Sequence, residues 1–132
     1  MPVIVETLVQ PTEQDRQDLL KIYADAPDWL LAPHADAPAL VEAGLREGRL
    51  LGGRFNDRLL GAAWLERDDD AWRLSRLCVR KVTRGRGVGQ RLLDESRRLA
   101  SEAGKPLLLR APSGHLEAQA LAARAHLQLE QD

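Results

Sequence analysis

Short runs of alternating hydrophobic and polar residues predict the β-strands of this chain. A β-branched run at residues 3–9 predicts a first strand, which Pro11 ends. Two further runs, at residues 50–55 and 58–67, flank an Asn-Asp pair at 56–57. Both residue types tolerate the left-handed backbone of a tight turn, so the sequence predicts a β-hairpin here.

The run at residues 71–79 alternates only in part. Trp72 and Leu74 share one phase, whereas Leu77 and Val79 share the other. Successive side chains of a strand point to opposite faces, so all four face the core only if the phase shifts between them. Such a shift is typical of a β-bulge, which the sequence alone does not prove.

Helical periodicity predicts the helices. They are expected at residues 15–23, 39–48, 88–104 and 114–125. Thr12 and Asp15 have the spacing of a capping box before the first helix, and Pro38 suits the first position of the second. Ser113 is the expected cap of the last helix, and glycines end the second and third.

The remaining segments complete a mixed sheet. Residues 105–110 predict a buried strand and residues 126–132 a last short strand, whereas residues 24–38 hold three prolines and are expected to form a loop. The element order is then β, α, α, β, β, β, α, β, α, β. We expect one α/β (α+β) domain over residues 1–132, with a mixed, mostly antiparallel central sheet flanked by helices.

Charge and cysteine content exclude several classes of protein. Nineteen Lys and Arg against twenty Asp and Glu give a formal charge of -1, which disfavours a globally basic nucleic-acid binder. The arginines of residues 80–86 are also disfavoured as a nucleic-acid site, because aromatic residues for base stacking are scarce. Cys78 is the only cysteine, so neither an internal disulfide nor a multi-cysteine zinc site is possible. We expect no metal.

The amino terminus has neither the charged start nor the apolar run of a secretion signal, and no later apolar run is long enough to cross a bilayer. The sequence therefore predicts a cytoplasmic protein that makes no membrane contact.

A glycine- and arginine-rich loop precedes the predicted helix at residue 88. A helix amino terminus leaves main-chain N–H groups without intrahelical partners and carries about half a positive charge, so it favours an anion. Gly85, Gly87 and Gly89 let the backbone approach a phosphate, while Arg84 and Arg86 supply charge and paired donors. The loop lacks the Lys-Ser or Lys-Thr pair of a P-loop.

A dinucleotide-binding fold is also disfavoured. Gln90 stands where the third glycine of G-x-G-x-x-G would be, and the loop lies two-thirds along the chain.

The pattern Arg84-x-x-Gly87-x-Gly89, after a strand and before a helix, resembles the pyrophosphate loop of the Gcn5-related N-acetyltransferase (GNAT) superfamily. The resemblance implies the GNAT acyl-CoA N-acyltransferase fold, with acetyl-CoA or coenzyme A as ligand. It also implies that the strand before the loop splays from its neighbour and pairs with the pantetheine arm. The residues implied for the acyl arm are Leu77, Cys78 and Val79. Those implied for the phosphates are Thr83, Arg84, Gly85, Arg86, Gly87, Val88, Gly89 and Gln90.

The acid that many members of this superfamily use is missing from the sequence. Acetyl transfer needs a base for the amine and usually an acid for the leaving thiolate. In the resemblance Ala122 stands where a tyrosine acid would be, and Tyr23 belongs to the first helix. Weaker candidates exist for a catalytic base or an acyl acceptor, and none is assigned a role. They are His34, Glu66, Cys78 and His115. Whether the chain is an enzyme stays open.

Three stretches resemble the PanZ/PanM family of aspartate 1-decarboxylase maturation and regulatory factors. They lie at residues 15–22, 54–60 and 77–95. The resemblance implies an acetyl-CoA-binding regulator that binds aspartate 1-decarboxylase and promotes its maturation, its feedback control in pantothenate and coenzyme A biosynthesis, or both. Arg54, Asn56 and the loop arginines are the expected partner contacts. The alternative is an active GNAT N-acetyltransferase that acts on an amine of a small molecule or protein.

Overall fold

A computed structural model describes residues 2–131 of the chain. Within that range the chain forms one sheet with helices on both faces. The strands are β1 (Ile4–Thr7), β2 (Leu50–Phe55), β3 (Arg58–Arg67), β4 (Trp72–Val79), β5 (Leu107–Ala111) and β6 (Gln128–Gln131). The helices are α1 (Glu13–Ala24), α2 (Asp28–Leu31), α3 (Ala37–Arg46), α4 (Val88–Glu102) and α5 (Leu116–Ala125), with a 3-10 turn at Lys81–Thr83.

The strands lie in chain order, from β1 to β6. The pairings from β1 through β4 are antiparallel, whereas β4 with β5 and β5 with β6 are parallel. Apart from the additional single-turn helix α2, the predicted element order is confirmed, as is the mixed, mostly antiparallel sheet. The predicted last strand extended to Asp132, which lies outside the described residues.

Each face of the sheet has its own hydrophobic core. Leu19, Ile22 and Tyr23 of α1 and residues of α3 cover one face, where Trp64 and Cys78 also lie. Residues of α4 and α5 cover the other face. The sheet is therefore the middle of three layers.

The predicted change of phase in β4 is confirmed as a β-bulge. Trp64 pairs with Ser75 and Ala62 with Cys78, so β4 holds one more residue than β3 between these pairs. Arg76 lies within the bulge in the left-handed region, with φ of 52°. As a result Leu74 and Leu77 both pack in the core beside α4 and α5.

Three local predictions need correction. The segment at residues 24–38 contains the single turn α2, because Pro27 precedes the helix, where a missing N–H costs nothing. Pro38 follows the first residue of α3, whose amino terminus is capped by the Asp36 side chain accepting from Ala39 N at 2.9 Å. α5 begins after His115, because Gly114 has φ of 86° and interrupts helical backbone geometry after Ser113.

The capping box of Thr12 and Asp15 is confirmed at the start of α1. The hairpin turn is confirmed as well. Asn56 has a left-handed φ of 54° between β2 and β3.

Candidate functional site

The main cleft of the described chain lies where β4 and β5 separate. These parallel strands pair only from Trp72 to Leu74 and from Leu107 to Leu109, although both continue beyond. The separation that the GNAT resemblance implied is therefore present. The cleft has a volume of about 1030 Å³, at the upper end of the range common for small-molecule sites. Its walls come from the α2 segment, β3, β4, the start of α4, β5 and α5.

The main chain at the end of β4 faces this cleft. Arg80 donates its N–H to the Leu60 carbonyl of β3 at 3.0 Å. Main-chain groups of successive strand residues alternate in direction, so those of Leu77 and Val79 point away from β3. Arg84 Nε donates to the Val79 carbonyl at 3.1 Å from that side. The Leu77 and Val79 main chains thus offer hydrogen-bonding groups where β5 has moved away.

Cys78 contributes to the wall in a different way. Its main chain pairs with Ala62 of β3, and its Sγ donates to the Ile22 carbonyl at 3.3 Å. Burial raises the pKa of the Cys78 thiol, which disfavours the reactive thiolate. This environment is that of a small core residue rather than of a nucleophile.

The loop at residues 83–90 presents its backbone to solvent. Gly85 and Gly87 have φ of 82° and 85°, and a Cβ added at either would meet nothing within 4 Å. Both glycines and Arg86 are exposed. The described residues provide the Arg86 side chain with neither a hydrogen bond nor an ion pair. The first intrahelical bond of α4 runs from Arg91 N to Gly87 O at 3.0 Å, so the amides of residues 85–90 are available to a ligand, whereas those of Thr83 and Arg84 donate to the Arg80 and Lys81 carbonyls.

Two side chains of the predicted phosphate loop point elsewhere. Thr83 is buried, and its hydroxyl donates to the Arg80 carbonyl at 3.1 Å. The Val88 side chain, at the first position of α4, packs in the core on this face of the sheet. These residues position the loop, whereas Gln90 is exposed beside the cleft and donates from Nε2 to Asp94 at 2.9 Å.

No tyrosine hydroxyl of the described chain faces the cleft. Ala122 is buried in α5, at the position implied for the tyrosine acid. Tyr23 is fully buried and donates its hydroxyl to the Arg76 carbonyl in the β4 bulge at 2.8 Å. Burial raises the pKa of Tyr23 well above its ordinary value. Tyr23 therefore supports the bulge.

Two of the weaker catalytic candidates line the cleft. The His34 ring lies 5.5 Å from the Trp64 ring, and burial lowers the pKa of His34, with the Arg76 charge acting in the same direction. Glu66 is ion-paired with Arg110 at 3.4 Å and lies 3.8 Å from Arg49. His115 is not among the lining residues and stacks on Trp29 instead.

The sequence patterns did not identify Trp29, Trp64 and Arg76 as residues of the cleft. The Arg76 guanidinium lies 4.5 Å from the centre of the Trp64 ring, and Trp29 lines the wall nearby. Arg76 is the residue that the change of phase in β4 skips, which is a signal that the sequence did contain. Trp29 lies between prolines in a segment that shows no periodicity.

Arg54 and Asn56, the expected partner contacts, occupy the hairpin. The Arg54 guanidinium pairs with Asp15 at 2.9 Å and with Glu6 at 2.8 Å, and its hydrogen bonds to these carboxylates raise its pKa. It therefore links α1 to the sheet. Asn56 is exposed at the turn.

Comparison with known families decides the relationship. The model described as "Acetyltransferase (GNAT) domain, PanZ" matches residues 2–129. The chain belongs to the PanZ family. The sequence is 36% identical over 95 residues to a protein of Escherichia coli K12 named PanD regulatory factor, and this match covers 72% of the chain and 66% of that protein. A protein of the same name from Salmonella typhimurium LT2 is 47% identical over 47 residues, or 36% of this chain and 37% of that protein.

The matched parts thus span less than two thirds of either PanZ-family relative. Solved structures agree on the GNAT fold. A GNAT-family protein from Desulfovibrio desulfuricans has a TM-score of 0.72 at 17% identity, over 94% of this chain and 84% of that one. The PaiA N-acetyltransferase of Thermoplasma acidophilum, in complex with coenzyme A, has a TM-score of 0.65 at 16% identity, over 94% and 88%.

Two kinds of site are not found among residues 2–131. No helix there is long and apolar enough to span a membrane. That part of the chain also has no group of three or more His, Cys, Asp or Glu arranged to hold a metal ion.

Proposed function

We propose that this PanZ-family chain binds a coenzyme A thioester, acetyl-CoA in particular, and in that state binds and regulates aspartate 1-decarboxylase. The observation that carries the proposal is the separation of β4 and β5 next to a glycine-rich helix amino terminus. A coenzyme A thioester has an anionic end and a long amide-containing arm, and the cleft offers a matching group for each.

The anionic end is assigned to residues 83–90. The free amides of residues 85–90, the helix dipole and the exposed Arg84 and Arg86 guanidiniums all favour a phosphate there. The left-handed Gly87 brings the backbone near the anion with no side chain in the way. Val88 contributes through its main-chain N–H, since its side chain is buried, whereas Thr83 donates both its N–H and its hydroxyl to the Arg80 carbonyl and so holds the start of the loop.

The pantetheine arm is assigned to the edge of β4 exposed by the separation. Amides of the arm take the hydrogen-bonding places that β5 leaves at Leu77 and Val79, as an added strand would. Cys78 lines the cleft but makes no main-chain hydrogen bond to the arm, because its main chain already pairs with β3.

The partner assignment is supported by the names of the relatives and by the hairpin. Both curated relatives carry the name PanD regulatory factor. We assign Asn56 and the exposed loop arginines to the partner interface, with Arg54 holding the hairpin in position. Regulation of this kind requires that ligand and partner strengthen each other's binding by the same factor.

A specific observation supports a second candidate function, N-acetyl transfer. His34 lines the cleft, and its lowered pKa keeps the imidazole neutral and able to accept a proton at physiological pH. In this candidate His34 takes the proton of an attacking amine, and water serves as the acid.

Calorimetric titration with the cognate aspartate 1-decarboxylase precursor tests the proposal, with acetyl-CoA either present or absent. We expect binding heat that appears or strengthens only with acetyl-CoA. A parallel assay for free thiol, with a panel of amines, tests the second candidate. Steady thiol release that is lost in His34→Ala, without partner binding in either titration, overturns the regulator and favours the transferase.

A further inference from the structure

Residues 27–34, here called the strap, cross over the separation between β4 and β5. On the β4 side the Ala32 carbonyl accepts a hydrogen bond from Arg76 Nη2 at 3.2 Å, and His34 lies against Trp64. On the other side the Trp29 ring stacks on His115, at the start of α5, with ring centres 4.4 Å apart and planes 17° apart. The strap is thus attached at both sides of the cleft.

The opposite face of the cleft is closed by α4 and α5. Leu93, Ala118 and Leu121 line it from there, while Trp29 and Leu30 line it from the strap. A ligand arm lying between β4 and β5 is therefore covered on both faces. The strap therefore restricts sideways entry and exit of the arm while it is closed.

We propose that the strap is a gate for the coenzyme A thioester, with the Trp29–His115 stack as its latch. This inference rests on the ligand proposed above and adds how that ligand exchanges. Opening separates Trp29 from His115 and uncovers the arm, and closing restores the stack over the bound ligand.

The strap is built to move more easily than its neighbours. Its only helix is the single turn α2, which has no side-chain cap and no fully buried residue, and only Leu30 and Leu31 of it pack, half-buried, against the core. α1, which precedes it, has a complete capping box and five buried residues. Segments with little buried surface open locally at low free energy, long before the whole domain unfolds.

His115→Ala tests the latch without changing the cleft wall, because His115 stacks on Trp29 but does not line the cleft. We expect the association and dissociation rate constants of acetyl-CoA, measured by stopped-flow, to rise together by about 2- to 10-fold, from the usual strength of an aromatic pair. The dissociation constant changes less than either rate. Leu116→Ala, at the exposed next residue, is the control that should leave both rates unchanged.

Trp29→Ala provides a second measurement, since it removes both the latch and a wall residue. If the stack is the latch, the double variant Trp29→Ala/His115→Ala exchanges acetyl-CoA no faster than Trp29→Ala alone. Unchanged rates in His115→Ala, or a rise in dissociation alone, overturn the gate while leaving ligand binding intact. A wild-type chain that binds no acetyl-CoA overturns the proposed function and the gate together.

Discussion

Two pairs of arginines in this molecule have opposite surroundings. Arg54 and Arg58, at the hairpin, form ion pairs with Asp15 and Asp18 of α1. Arg84 and Arg86, in the loop before α4, are exposed and form no ion pair with any residue from 2 to 131. The near-neutral formal charge therefore hides a local excess of positive charge, and the difference separates arginines that stabilise the fold from arginines available to a ligand.

The surroundings of Asp18 show how firmly the fold holds the hairpin arginines. Its carboxylate is 1% exposed and accepts from Arg58, from the Leu59 N–H at 3.1 Å and from Gln14 at 3.0 Å. Burial by itself would raise the pKa of Asp18, but these hydrogen bonds outweigh it and hold the pKa below its ordinary value of 3.8. Charged side chains are seldom so buried unless every acceptor is used.

The largest expected effect on this comparison comes from Asp18→Ala. It leaves the buried Leu59 N–H without its acceptor and removes charged hydrogen bonds that are each worth about 1.5–3 kcal/mol. We expect unfolding free energy to fall by about 3 kcal/mol and the melting temperature by roughly 10 °C. Thermal denaturation measures this, with Asp69→Ala, at an exposed acidic residue, as the control. Equal effects in the two variants would contradict a structural role for Asp18.

Gly87→Val is expected to abolish ligand binding at the loop. Acetyl-CoA at about one hundred times its dissociation constant should stabilise the wild type by about 2.7 kcal/mol, and this increment should vanish. A branched side chain at a φ of 85° also strains the backbone by about 1–2 kcal/mol. Gly104→Val, at a φ of 71° beyond the other end of α4, carries the same strain away from the loop and should keep the full increment in a melting assay. Loss of the increment in both variants would mean that general destabilisation is the cause.

Acid should weaken the hairpin ion pairs but not the loop. The Arg54 hydrogen bond, the largest influence on Asp15, holds its pKa below 3.8, as the bonds to Asp18 do for that residue. A depressed folded-state pKa contributes stability that is present above the unfolded value and is lost as pH falls below it. Melting temperature should therefore drop as pH falls below about 4, and less steeply in Asp18→Ala. Parallel slopes would show that other carboxylates carry the acid sensitivity.

The smallest effect on stability is expected for Arg86→Ala. The exposed side chain has no partner among the described residues, so unfolding free energy should change by less than about 0.5 kcal/mol. Acetyl-CoA affinity should nevertheless fall, and its dependence on salt should weaken. Arg58→Ala should behave in the opposite way, with lower stability and unchanged affinity, as calorimetry and melting together can show. If both variants changed stability and acetyl-CoA affinity in the same way, the hairpin arginines and the loop arginines would not differ in role.

The sequence predicted those features that depend on local pattern. The interrupted alternation around Leu74 and Leu77 located the bulge, and the glycines and arginines located the loop. It did not predict that the Arg54 guanidinium forms an ion pair with Asp15, because residues so far apart in the chain meet only after α1 packs on the sheet. The stack of Trp29 on His115 was not predicted either, because these two residues are also far apart in the chain and meet only in the folded structure. α2 was missed because a single turn shows no helical periodicity.

The one-residue bulge in β4 has a consequence for how this strand tolerates change. Replacing Leu77 or Val79 alters a wall but leaves the main-chain groups beside it in place. Deleting Arg76 would place Leu74 and Leu77 two positions apart in a regular strand, so the later side chains of β4 would keep their layers, but the carbonyl that accepts from Tyr23 would be lost. The extra residue therefore bends β4 and supplies an acceptor for Tyr23 without changing the layer to which the later side chains belong.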